Sequence, residues 1–450
     1  MKETSLNIAK LVAATDDTHT PADVDATYRK ILFRLLPLLI VCYVCAYLDR
    51  VNISFAKLQF MSDLGFSEAA YGLGAGLFFL GYVLFEVPSN LLMQRIGARR
   101  TLLRIMVTWG VISSATMFVK TPMQFYVLRV LLGVAEAGFF PGVLFYLTIW
   151  FPSARRGRVT GYLMASTALA GIIGGPVSAW IMVHMAGLLG LKGWQWLLLA
   201  EGLPSLLLGA LAFLILSDRP ADARWLSDKE KAIVLGQLRA DEGSSARGHA
   251  AGHAILKVLG QPRIYVAIVA YFCVIMPFNA IGFWTPTILK DMGIKNLIHV
   301  GWLSSLVFIA AAMGTWILGA SSDHFKERRW HLLISSAVMA VCFGMLPLAL
   351  HSQGIAIAML GVAAAASYGA FVVFWTIPPS FLDGDAKAGG IALITSIGGT
   401  GAFVSPTLVG WIKTSTGSLY PALTALGVIA VAGAILMMMT VRPASPGART

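Results

Sequence analysis

Charge is what this chain has least of. Only 12% of its 450 residues are Asp, Glu, Lys or Arg, against about 25% in an ordinary soluble chain. Residues 330–382 contain no charged residue, which leaves room for two bilayer spans of about 20 residues each. Residues 159–191, 388–412 and 414–441 are equally bare. With 57% hydrophobic residues and a mean hydropathy of +0.75, a soluble globular fold is excluded. Cysteine is also scarce. The four present, Cys42, Cys45, Cys273 and Cys342, all fall in apolar runs, where they read as small buried residues and not as a disulfide framework. The eight histidines are scattered without metal-ligand spacing. No Walker loop is present, so neither a cofactor nor an ATP-driven pump is expected. Gly72-x-Gly-x-Gly76 is no nucleotide loop, because no strand precedes it. The opening stretch 1–28 is polar and lacks an apolar core, which predicts no cleaved signal peptide.

Twelve segments have the length and hydropathy to span a bilayer: 31–54, 69–93, 101–119, 123–150, 158–184, 194–217, 264–289, 299–320, 331–350, 354–382, 389–412 and 419–441. The tenth is expected to end in a broken turn at Pro378-Pro379. The longest polar stretch divides the spans six and six. The expected organisation is a tail at 1–28, a first half at 29–217, a central loop at 218–263, a second half at 264–441 and a tail at 442–450. The net charge of +12 does not point to nucleic acid. By loop, 26 of the 34 Lys and Arg residues fall on the side that holds both termini. That is the positive-inside pattern, and it predicts cytoplasmic termini. The two halves repeat. Gln94-Arg-Ile-Gly-Ala-Arg-Arg100 returns as Asp323-His-Phe-Lys-Glu-Arg-Arg329, and Leu132-Gly-Val-Ala135 as Leu360-Gly-Val-Ala363. The offset between partners is nearly constant.

Against this background, charges inside spans stand out. Asp49 and Arg50 lie in span 1; Arg129 and Glu136 lie in span 4. An ionised side chain at mid-bilayer costs roughly 2.5–3.5 kcal/mol on insertion scales, and such groups face a bundle interior or a watery path. Arg129 and Glu136 are two helical turns apart, so they share a helix face about 10.5 Å apart along the axis. Asp49 and Arg50 are adjacent and point about 100° apart. Two readings fit: a static ion-pair network between spans 1 and 4, or a site that takes up protons and holds an anion. Apolar packing often serves stability equally well, which favours the second. The repeat places Ile357 and Ala364 opposite Arg129 and Glu136. The second half therefore offers shape and hydrogen bonding, through Asn279, Trp284, Tyr368, Trp375, Thr395 and Ser396.

Other features have plainer readings beside the functional ones. The basic loops holding Arg99, Arg100 and Arg328 signal topology, or form a gate in which arginines cap helix ends and pair with acids such as Asp323. Gly171, Gly174, Gly175 and Pro176 form a packing surface or a hinge. Glu86 and Glu201, each near a proline, are expected to make structural hydrogen bonds, with proton transfer as the less favoured alternative.

Several motifs together resemble the anion:cation symporter family of the major facilitator superfamily. They are Tyr47-Leu-Asp-Arg-Val-Asn52, Phe85-Glu-Val-Pro-Ser-Asn90, the run from Arg129 to Pro141, Gly282-Phe-Trp-Thr-Pro286, and the run from Ser322 to His331. The resemblance covers about residues 28–441 and extends to bacterial phthalate, tartrate and 4-hydroxyphenylacetate permeases. It implies an all-α membrane protein with twelve helices in two pseudo-symmetric six-helix halves. It also implies proton-driven import of an organic carboxylate by alternating access, across a bacterial inner membrane, by a monomer. By motif, Asp49 and Glu136 match the protonated acids and Arg50 the arginine linking them. Arg129, Tyr47 and Tyr82 match the substrate site, and Trp375 the opposite wall. The chain departs from the family pattern at Thr395 and Gly399, where asparagines are usual. Thr167 stands where sugar-acid relatives carry glutamine. Fewer amides lean toward an aromatic acid or a compact dicarboxylate. No nucleophile–base pair or metal cluster marks an enzyme. A transporter-like sensor is the remaining rival.

Overall fold

The computed structural model describes residues 20–245, 260–382 and 385–440. Most of the expected first tail, part of the central loop and the tail 442–450 lie outside the described residues. Twelve helices are long and apolar enough to cross a membrane. They are α1 (Pro21–Leu64), α2 (Glu68–Ile96), α3 (Ala98–Phe118), α4 (Pro122–Trp150), α5 (Ser153–His184), α6 (Gly193–Ile215), α7 (Pro262–Asp291), α8 (Leu297–Phe325), α9 (Arg329–Ala349), α10 (Gln353–Ser380), α11 (Gly389–Thr416) and α12 (Tyr420–Thr440). No strand occurs among the described residues. Pro378–Ser380 form a 3-10 turn at the end of α10, as the paired prolines predict.

Local signals set the helix ends. Thr20 and Asp23 make a reciprocal capping box at the start of α1, and Ser67 caps α2 by accepting from the Ala70 N–H at 3.1 Å, each satisfying orphan donors. Pro122 and Pro262 stand in the first turns of α4 and α7, where a missing N–H does no harm. The repeat-related helix ends differ in backbone: Gly97 ends α2 at φ +86°, ψ 165°, whereas Lys326 ends α8 in the left-handed helical region at φ +52°, ψ 25°.

Two helices depart from regular α geometry, which hydropathy does not reveal, whereas α1 stays helical through Asn52. In α4 the break falls at Ala137–Gly138, directly after Glu136. Gly138 takes φ +86°, and a side chain there would meet Ser89. In α11 residues Ile394–Gly398 form a π-helical turn, a feature frequent at functional sites. The glycines of α5 serve close packing: Gly171 lies under the Phe308 ring and Gly175 against the Gly301 backbone of α8.

The core is split in a way that defines a cleft. Call the side holding Pro21 and Thr440 the terminal face and the other the distal face. On the terminal side each half has its own apolar cluster. One is built around Leu35, Trp109 and Trp150 of the first half; the other around Tyr271, Phe374 and Met437 of the second. On the distal side one cluster crosses both halves and joins Phe60, Tyr71 and Phe125 to Trp284, Leu360 and Leu423. The buried core runs across both halves distally and is divided between them toward the terminal face, where Phe79 touches both clusters.

Candidate functional site

The hydrogen bonds that join the halves run through the distal side. Tyr71 Oη donates to the Phe283 carbonyl at 2.9 Å, Lys57 Nζ to Thr287 Oγ1 at 3.0 Å, and the Ala69 N–H to Thr414 Oγ1 at 2.8 Å. An ion-pair chain reinforces them: Lys57–Glu68 at 2.5 Å, Glu68–Lys413 at 3.1 Å and Lys413–Asp291 at 2.8 Å. Lys57 is only 2% exposed, with its ammonium 3.8 Å from the Trp284 ring centroid. The sequence reading puts Lys57 in a loop beyond span 1. In the structure α1 continues to Leu64, because Glu68 and Thr287 supply the polar partners that let the ammonium stay buried. Trp284, expected on the open wall, is instead fully buried in this closure, edge-on to Tyr71 at 5.3 Å.

Behind the cleft the four intramembrane charges of α1 and α4 come together. Arg50 Nη2 donates to Glu136 Oε2 at 2.8 Å, with Arg50 27% exposed and Glu136 1%. Asp49 faces a different side, as the 100° step between neighbours requires. Its Oδ1 accepts a short hydrogen bond from Ser113 Oγ and another from Asn52 Nδ2 at 3.3 Å. Of the two acids, Arg50 holds Glu136. Arg129 is 2% exposed; its Nε donates to the Gly74 carbonyl at 3.3 Å and its Nη2 is buried without a partner. Phe78 lies under both guanidinium groups, 5.1 Å from Arg50 and 5.0 Å from Arg129. Tyr82 adds a second ring 5.3 Å from Arg50. Ser113, Asn52 and Phe78 were missed from sequence. A serine and a phenylalanine inside apolar runs carry no signal of their own, although Asn52 sits in the recognised motif.

The second half faces this cluster with rings. Tyr47 of α1 meets Tyr368 of α10 at mid-depth. From Tyr368 the rings continue to Phe278 at 4.2 Å and Phe371 at 4.6 Å. They pass through Tyr271 at 6.2 Å to Trp375 at 4.8 Å. Asn279 is buried and its amide donates to the Ile275 carbonyl of its own helix at 2.9 Å. Thr395 is exposed and bonds back to the carbonyls of Ile391 and Ala392. A groove of about 510 Å³ between α8, α9 and α10 is lined by aliphatic residues such as Leu306, Ile317 and Ile334; with no charged lining group, it does not suit an anion.

Of the four expected gating residues, three bond within their own halves. Arg99 caps the end of α6 through the Phe213 carbonyl, at 2.9 and 2.6 Å, while its own N–H donates to Asp218 at 2.9 Å. Asp323, in the last turn of α8, pairs with Arg328 just before α9 at 2.6 Å. Arg100 is exposed.

The sequence profile of the Major Facilitator Superfamily matches residues 39–386. The chain belongs to this family. It is therefore a multi-pass membrane transporter and not an enzyme. NicT of Pseudomonas putida, named for metabolite transport, is 44% identical over 410 residues, covering 90% of this chain and 93% of that protein. An Agrobacterium vitis protein named for tartrate transport is 40% identical over 428 residues, covering 94% and 93%. Among solved structures, a bacterial homolog of the human lysosomal transporter Spinster aligns with a TM-score of 0.74 at 16% identity. It covers 94% of this chain and 97% of that one, a likeness of fold.

Proposed function

We propose that the protein imports an organic carboxylate anion together with protons by alternating access, and that the anion is an aromatic carboxylate of the phthalate kind. The observation that carries this reading is Arg129: a buried guanidinium with an unpartnered Nη2 beside the Arg50–Glu136 pair. A buried unpaired donor calls for an acceptor, and a guanidinium fork suits a carboxylate. Asp49 and Glu136 are the proton-carrying acids. Arg50 ties Glu136 to the site, so protonation of Glu136 would release the guanidinium toward the cleft. Tyr47 and Tyr82 line the anion's place, and Trp375, Asn279 and Thr395 form the facing wall. The ring series from Tyr368 to Trp375 supports an aromatic substrate, because flat rings stack on such a wall. A tartrate-like diacid is the second reading, favoured by the relative named for tartrate transport. With basic residues concentrated on the terminal side, the chain sits in the bacterial inner membrane with both termini cytoplasmic, as a monomer. The terminal-side cleft then faces the cytoplasm, and Arg99, Arg100, Asp323 and Arg328 form the gate on that face.

Competition against labelled phthalate and labelled tartrate uptake tests the substrate. Inhibition by aromatic acids is expected, with diacids second and glucose inert. Inhibition by glucose but by no carboxylate overturns the anion reading; inhibition by tartrate but by no aromatic acid overturns only the ring.

A further inference from the structure

Glu201 is a buried acid that the site above does not use. It lies on α6 and is 7% exposed. Its Oε1 accepts from Ser178 Oγ of α5 at 3.0 Å, while Oε2 is buried without a partner. Among the described residues no Lys or Arg pairs with it. Asp49 is in the same condition, with Oδ2 buried and unpartnered. Asn52 of α1 stands between the two acids; its amide donates to Asp49 and faces the Glu201 carboxyl. The titratable groups that face Glu201 are Asp49 and Cys45, both on α1. The helices packed around it contribute hydroxyls: Ser178 from α5, Ser114 of α3 against Gly202, and Ser205 one turn further along α6.

A glutamate kept only for structure would be expected to have both oxygens tied. Here each acid keeps one oxygen without a partner and neither forms an ion pair among the described residues, although the Arg129 guanidinium acts on Asp49 at longer range. An isolated carboxylate in such a place is far less stable than the neutral carboxyl. Two acids joined by one amide are an arrangement for holding protons. We propose that Glu201 is a second proton-holding acid that exchanges a proton with Asp49, with Asn52 as the positioning residue. In the exchange one carboxyl O–H bond breaks as another forms on the partner carboxylate, so the pair keeps its total charge. Glu201 lies just over two helical turns, about 12 Å, from the distal start of α6. The proposal rests on the proton-coupled reading above.

Infrared pH-difference spectra of the purified full chain in lipid test it without any substrate. In the wild type, raising the pH from about 4 to about 10 covers the range of perturbed carboxyls and should remove the carboxyl C=O absorption of both acids. Glu201→Gln should delete one component. Asp49→Asn should shift the pH at which the Glu201 component disappears by at least about one unit, as coupled sites require. An unchanged spectrum in Glu201→Gln overturns the proposal, as does a Glu201 component that ignores Asp49→Asn. Should Glu201→Gln not yield folded protein, Ser178→Ala keeps the acid but removes its donor. It should move the same component, and an unmoved one overturns the proposal. Wild-type uptake that ignores a pH gradient would instead contradict the proton-coupled reading, so the two failures are distinguishable.

Discussion

Among the described residues Arg129 is bonded to one backbone carbonyl and lies against one ring, with Nη2 unpartnered and the Glu136 and Asp49 carboxyls nearby. If that fork receives the substrate carboxylate, Arg129→Lys retains charge but loses the two-pronged contact. Hydrogen bonds to charged groups contribute about 1.5–3 kcal/mol. Arg129→Lys should therefore weaken substrate binding about ten- to hundredfold, nearly as much as Arg129→Ala. Affinity of the two variants, measured by substrate-induced thermal shift, checks this; wild-type affinity in Arg129→Lys would make the residue structural. The acids divide differently. Asp49→Asn and Glu136→Gln preserve shape and remove titration. Either should abolish gradient-driven accumulation while at least one keeps substrate exchange, read by counterflow in proteoliposomes. Full accumulation in both would remove them from coupling.

At the scale of elements, the distal closure is an expected point of control. Lys57 is buried and relies on Glu68 for its counter-charge. Removing one partner of a buried pair destabilises by about 3–5 kcal/mol. Glu68→Ala should therefore open the distal side. In a background without the four native cysteines, a cysteine at Ser305, buried against α5, should react faster with a water-soluble maleimide in Glu68→Ala. Equal labelling rates would show that the chain Lys57–Glu68–Lys413–Asp291 does not hold the halves together. This ion-pair chain also shows what was legible beforehand. Hydropathy and loop charge gave twelve spans, and a constant offset gave the two halves, because both signals are carried by many residues at once. The intramembrane charges were legible because each is rare against its surroundings. The break at Ala137–Gly138 and the π-helical turn at Ile394–Gly398 were not, since each turns on a few residues whose packing decides. Nor were the distal ion pairs, whose members lie at span ends and meet from opposite ends of the sequence, as Glu68 and Lys413 do.

At the scale of the molecule, charge is in the first half, aromatic surface in the second, and a cleft lies between them on the terminal side. The central claim is that protons and a carboxylate move together through this arrangement. The most direct measurement is uptake of labelled phthalate and labelled tartrate into proteoliposomes under an imposed pH gradient, acid outside. Wild-type protein should accumulate at least one of them above equilibrium, with Asp49→Asn reduced to equilibration and a protonophore abolishing the excess. Equal uptake with and without the gradient, or full accumulation in Asp49→Asn, would contradict coupled movement.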